Sequence, residues 1–207
     1  MPFNKANLER FTAFWARLAR DVQRTDNAVR LENASLPMLE VNAVHALQPL
    51  EGAVLVLPAG EHPSGCRLEG KLALLEVART EPREESVWVE QVPWSRGEAL
   101  ARVWCDAVGA LEWQAEVSAE FARVLQSRPD LLAFLALEGD AATGMMLASS
   151  DGFAGIVAGT DRAVRALLAR GAQDFEGFTV SLEIERARGL GAQTLATLEV
   201  WINATSD

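Results

Sequence analysis

Tyrosine is absent from this 207-residue sequence, cysteine and histidine occur twice each, and the apolar runs are short. Without Tyr, no phenol can serve as a catalytic acid. Two cysteines, Cys66 and Cys105, are too few for a disulfide framework or a cysteine-built zinc site; one bridge between them stays open, and a reducing cytosol fits best. The longest apolar stretch, Leu131 to Leu137, falls far short of the ~20 residues that span a bilayer. Met1 to Lys5 leads straight into mixed charge with no apolar signal core, so a soluble, unexported, cytoplasmic protein is expected. Basic residues are scarce too: 19 Lys plus Arg against 29 Asp plus Glu give a net charge of −10. Such a surface repels phosphate backbones and anionic lipid, so neither nucleic acid nor membrane is an expected partner.

What is present is an ordinary globular composition, 49% hydrophobic and 23% charged, long enough for one large domain or two small ones. Leu8, Phe11, Trp15, Leu18 and Val22 recur every three or four residues, which predicts an amphipathic helix. Apolar pieces within Ala28 to Leu47 and Gly52 to Gly60 read as strands, and a third apolar piece spans Cys66 to Ala78. Arg79 to Ser86 is charged, contains Pro82 and lacks any apolar residue, which makes it the best linker in the chain.

Beyond the linker, Val87, Val89 and Val92 predict a strand, and Ser95 with Glu98 has the spacing of a capping box opening a helix. A second helix carries Val117, Phe121 and Val124 and should stop at Arg128, because Pro129 disfavours the α conformation before it. Leu131 to Leu137, Ala142 to Ala148 and Phe153 to Gly159, separated by tight turns, predict an antiparallel meander. Leu132, Phe134, Leu137, Met146, Ile156, Val157 and Leu167 are expected to share one core. Thr160 or Asp161 can cap a further helix, whose end Gly171 marks. Phe178 to Ile184 alternates strictly and predicts a strand, as does Thr194 to Ile202.

The order strand, two helices, three antiparallel strands, helix, strand, strand over residues 87 to 203 resembles the GNAT superfamily of N-acetyltransferases. Phe134 to Ala148 is similar to the family's second and third strands and Gly152 to Thr160 to its fourth. Leu190-Gly191-Ala192 and the alternating segment ending in Val200-Trp201 resemble the family's closing strand, and Leu36 to Ala46 resembles a strand of two-part members. The resemblance implies an α/β fold with a mixed, largely antiparallel sheet flanked by helices: residues 1–80 a partial GNAT-like portion, residues 81–207 the acyltransferase domain.

It further implies acetyl-CoA held between the fourth and fifth strands, with backbone of Val157, Ala158 and Gly159 along the pantetheine, and an acyl group passed to the amine of a small molecule or peptide. The family's glycine-bearing diphosphate loop has no match after Thr160, where Arg165-Ala166-Leu167-Leu168-Ala169-Arg170 stands in its register. The diphosphate would then depend on Arg162 and Arg165, since free amides at a helix start are what normally attract phosphate. One literal match to the loop pattern, Arg186 to Gly191 with Gly189, is the alternative, and it requires residues 193–203 to be helical. Glu138, at a strand end, is the candidate that could reach an amine, while the Tyr that many members use to protonate the leaving thiolate has no counterpart. Family members often pair through their closing strands, which points to a homodimer with Trp201 at the interface. A GNAT-like module that has lost its cofactor loop and only binds or dimerises is the competing reading. His45, Ser149, Ser150 and Cys105 are read as structural residues, and no metal site is expected.

Overall fold

The computed structural model describes residues 5–49, 54–79, 86–187, 190 and 192–203. In chain order the elements are α1 (Lys5–Leu18), β1 (Asp21–Arg24), β2 (Ala28–Glu32), β3 (Val44–Ala46), β4 (Val54–Pro58), β5 (Cys66–Glu76), β6 (Trp88–Val92), α2 (Gly97–Val108), α3 (Gln114–Ser127), β7 (Leu131–Glu138), β8 (Ala141–Ser149), β9 (Phe153–Gly159), α4 (Asp161–Asp174), β10 (Thr179–Glu183), α5 (Ile184–Ala187) and β11 (Gln193–Asn203). They pack as two compact units, one of residues 1–75 with 181–207, the other of residues 76–180. This differs from a break at 80/81, because the last strand goes with the first unit. Most of the linker segment, residues 80–85, lies outside the described residues.

In the first unit the strands follow the spatial order β1-β2-β3-β4-β11-β5. Helix α1 buries Leu8, Phe11, Phe14, Trp15 and Leu18, the stripe its spacing predicts. It stops at Leu18, and Val22 stands exposed on β1 instead, which pairs antiparallel with β2. Asn33 and Asn42 hold the non-repetitive segment between β2 and β3: Asn33 Nδ2 donates to the Leu18 carbonyl at 2.6 Å, and Asn42 Nδ2 donates to the carbonyls of Leu36 and Met38. β11 runs antiparallel to β4, with Trp201 opposite Leu55. That register turns Trp201 inward, into a cluster with Ala46, Leu55 and Leu57. The expectation of an interface residue there is therefore corrected: at 8% exposure Trp201 is core.

In the second unit the order is β10-β9-β8-β7-β6. β6 to β9 are antiparallel throughout, and β10 joins β9 in parallel. The meander turns at Gly139 and Gly152, both with positive φ. Helix α2 lies on β8 and β9, and α4 on β6 to β9. The register splits the expected single core between the two faces of this sheet. Phe134, Met146 and Val157 stand side by side on the face that carries α4, where a Cβ on Gly144 would meet Ala163 and Leu167. Ile156, paired with Leu147, points to the opposite face, and Leu132, Leu137 and Val157 are only partly buried.

Two local expectations are also corrected. A 3-10 turn over Trp94–Arg96, closed by the Arg96 amide on the Pro93 carbonyl at 3.0 Å, puts Ser95 inside the turn, so Ser95 and Glu98 form no capping box and Arg96 caps without a side-chain bond. Helix α4 runs on through Gly171 to Asp174. Gly171 is required for space, since the Phe178 ring lies where its Cβ would be, 2.4 Å from Cζ. The predicted stop of α3 before Pro129 holds, with Arg128 as its cap.

Candidate functional site

β9 and the segment that follows it carry the residues that the sequence singles out. β9 pairs with β8 along its length, from Ser149↔Phe153 to Gly144↔Gly159. Its pairing with β10 covers Thr179↔Phe153 and Val180↔Ala154. The β10-side edge of residues 155–159 therefore lies outside that ladder. An extended chain bearing amides hydrogen-bonds along such an edge as an added strand does. Val157 and Gly159 are partly exposed there, whereas Ala158 is buried.

The step from β9 to α4 takes one residue. Gly159 turns the chain with φ +120, and its Cα lies so close to β8 that a Cβ would sit 2.2 Å from the Thr143 carbonyl oxygen. The Thr160 amide donates to that same carbonyl at 3.0 Å. Thr160 Oγ1 then accepts from the Ala163 amide at 3.2 Å, the N-cap that the sequence predicts. The helix start thus satisfies one of its own donors, and Asp161 places a carboxylate in its first turn. Leu168, in the register where the family pattern has glycine, is a core residue of α4.

Among the arginines, Arg162 Nη1 stands 4.0 Å from Glu138 Oε2, which brings together the cofactor-binding and acid/base candidates as an ion pair. The pair is about half exposed, and such pairs contribute little to stability. Arg165 is exposed on α4. Arg170 is taken up elsewhere, by Asp174 at 2.7 Å and the Val89 carbonyl at 3.3 Å, so it braces α4 on β6.

The alternative loop lacks its helix. Arg186 lies in α5, the Leu190 amide closes a turn on Ala187, and residues 193–203 are the strand β11. Gly189 and Gly191 lie outside the described residues. A strand in that position presents no helix N-terminus to a phosphate.

The remaining candidates are structural. Ser149 Oγ lies within hydrogen-bond reach of both the Asp151 carboxylate and the Phe153 carbonyl and shares its one proton between them, so it closes the β8–β9 turn. Both cysteines are free, and burial, with the charge of Glu112, pushes the Cys105 thiol up, away from the thiolate. Among the described residues no group of His, Cys, Asp and Glu is arranged to hold a metal, and no helix is long and apolar enough to cross a membrane.

His45 is 2% exposed, and burial pushes its pKa down to about 4. In the unfolded chain it protonates near 6.5, so between those values the unfolded state binds the extra proton. Stability should therefore fall by about 3 kcal/mol as pH drops from 6.5 to 4, and be level above. Glu40 acts in the opposite sense, since burial and then the charge of Glu183 raise its pKa. Urea unfolding against pH, on the wild type and on His45→Gln, isolates the His45 contribution; an unchanged slope in the variant would contradict it. The Glu40 and Glu183 carboxyls, 143 positions apart, carried no local signal in the sequence. A carboxyl held toward its protonated form is what acid/base work near neutral pH requires.

No family model and no curated protein matches this sequence. Solved structures do. A GCN5-related N-acetyltransferase from Kribbella flavida superposes with a TM-score of 0.59 at 15% identity, over 96% of this chain and 93% of that one. A conserved protein of unknown function from Staphylococcus epidermidis gives 0.61 at 8% identity, over 90% and 94%. A GNAT-family protein from Novosphingobium aromaticivorans gives 0.51 at 12%, over 96% and 99%. These matches run over nearly the whole of both chains, so they include the first 80 residues, where the sequence offered only fragments of resemblance. The chain has the GNAT fold: a mixed, mostly antiparallel sheet flanked by helices.

Proposed function

We propose that the protein is an N-acyltransferase of the GNAT type that takes its acyl group from acetyl-CoA and passes it to the amine of a small molecule or peptide. The observation that carries this reading is the edge of β9, where the ladder to β10 covers only Phe153 and Ala154. The residues fit the coenzyme unevenly. The stretch of β9 beyond its register with β10, at Val157, Ala158 and Gly159, suits the amide-bearing pantetheine arm. The diphosphate finds no glycine-lined cradle, because the β9–α4 connection is a single residue whose hydroxyl already caps the helix. Arg162 and Arg165 are the cationic groups that would hold it.

When bound, the coenzyme supplies an activated thioester. The chain's own contribution is to hold that arm on the β9 edge and to take a proton from the incoming amine. Glu138 is the acceptor that the sequence suggests, and it is charge-paired with Arg162. In the absence of Tyr, the leaving thiolate takes its proton from solvent or from another group.

A second reading, a binding module that performs no chemistry, is favoured by the self-capped start of α4. Native mass spectrometry of the purified protein separates the two. Coenzyme A retained, or taken up when added at millimolar concentration, is the expected result; no adduct at any concentration would leave the binding module as the account.

A further inference from the structure

The first unit contains an open cleft of about 390 Å³ between α1, the turn between β1 and β2, and the end of β3. At roughly 30 Å³ per heavy atom, the share of a water in the liquid, it takes about a dozen heavy atoms. Its inner wall is formed by Thr12 and His45, both almost fully buried.

The hydrogen bonds fix the polarity of that wall. His45 Nε2 lies 2.7 Å from the Glu40 carbonyl oxygen, which can only accept, so Nε2 carries the proton. Burial keeps the ring neutral, and Nδ1 is then a bare lone pair. Thr12 Oγ1, 3.0 Å from Nδ1, must donate its single proton there. What the hydroxyl has left is acceptor capacity, and among the described residues no other group donates to it. The wall therefore calls for a donor and offers nothing to an anion.

The rest of the lining carries both signs of charge. Lys5 and Glu9 sit one turn apart on α1, paired at 3.6 Å, and the β1–β2 turn adds Arg24 and Asp26. Leu8, Val29 and Leu47 supply apolar surface between the wall and these charges. A ligand that uses all three features has an amine, a carboxylate and a short apolar body.

We propose that this cleft binds a zwitterion of α-amino-acid size, its ammonium donating to Thr12 Oγ1 and its carboxylate facing Lys5 and Arg24. The site is distinct from the β9 edge and does not depend on the acyl-transfer reading. L-Leucine is the probe, titrated by calorimetry into the full chain, with isoamylamine and 4-methylpentanoate as its two half-molecules. Leucine should bind, isoamylamine more weakly, and 4-methylpentanoate not at all. Thr12→Val should weaken leucine binding about tenfold or more, the size of one hydrogen bond to a charged group, while Thr12→Ser keeps it. Because Thr12→Val also leaves His45 without its donor and can fail to fold, Arg24→Gln at the exposed turn is a second test, with a several-fold loss expected that salt mimics. Leucine failing to bind, 4-methylpentanoate binding as tightly as leucine, or full affinity in either Thr12→Val or Arg24→Gln would overturn the proposal.

Discussion

Gly159→Ala is expected to destabilise the protein by roughly 4 kcal/mol, from a positive φ that L-residues rarely adopt and from overpacking against backbone. The φ of Gly159 is +120, and the added methyl would lie 2.2 Å from the Thr143 carbonyl oxygen and 2.4 Å from Gly144 Cα. Neither contact can move as the end of a flexible side chain would. Relief requires the end of β9 to part from β8, and this breaks the 3.0 Å bond from the Thr160 amide to Thr143 and displaces the cap of α4 with it. Equilibrium urea unfolding measures the loss; a cost below about 1 kcal/mol would mean that β9 does not meet α4 in this way.

Phe134→Ala should cost ~3 to 5 kcal/mol through lost burial and an unfilled cavity. Phe134 is fully buried, opposite Met146 on the next strand, and its ring meets Phe175 edge-on at 6.5 Å. Phe175 in turn stacks on Phe178, whose ring occupies the space above Gly171. Removing the first ring of this series leaves α4 and the start of β10 without a shared support, so the surroundings have little freedom to collapse into the gap. Phe134→Leu, which refills much of the volume, should recover more than half of the loss. Equal losses for the two variants would show that packing at this position is not the cause.

Local pattern made much of this fold readable. Strict alternation placed β10, glycines between apolar runs placed the meander, and Pro129 placed the end of α3. Such signals describe one segment at a time. The partner of the last strand was not among them: alternation showed that Leu198, Val200 and Ile202 share a face, but nothing local says that residues 198–202 pair with β4, some 140 positions earlier. That pairing is what buries Trp201. For the same reason the expected core of the meander mixed residues from both faces, since which face a helix covers is a property of the assembled sheet.

At the candidate site, the missing glycines and the Thr160 cap were legible because each rests on neighbouring residues. The approach of Glu138 to Arg162, the bracing of Val89 by Arg170 and the influence of Glu183 on Glu40 all join residues far apart in sequence, and single positions gave no sign of them. Val22, Ser95 and Gly171 carry the same lesson locally: a spacing that permits a helix face, a capping box or a helix end was overridden by pairing, by a 3-10 turn and by an aromatic ring.

On the proposed reading, acetyl-CoA would be held by backbone along β9 while its diphosphate rests on side-chain cations alone. Calorimetric titration of acetyl-CoA at low and at high salt, on the wild type and on Arg165→Ala, is the test. Side-chain charges near solvent are screened at high salt, when the Debye length falls from about 10 Å at 0.1 M to about 3 Å at 1 M, whereas amides fixed at a helix start are screened less. Weak binding that fades with salt and is weakened further by Arg165→Ala is expected. Tight binding, indifferent to salt and to Arg165→Ala, would contradict it.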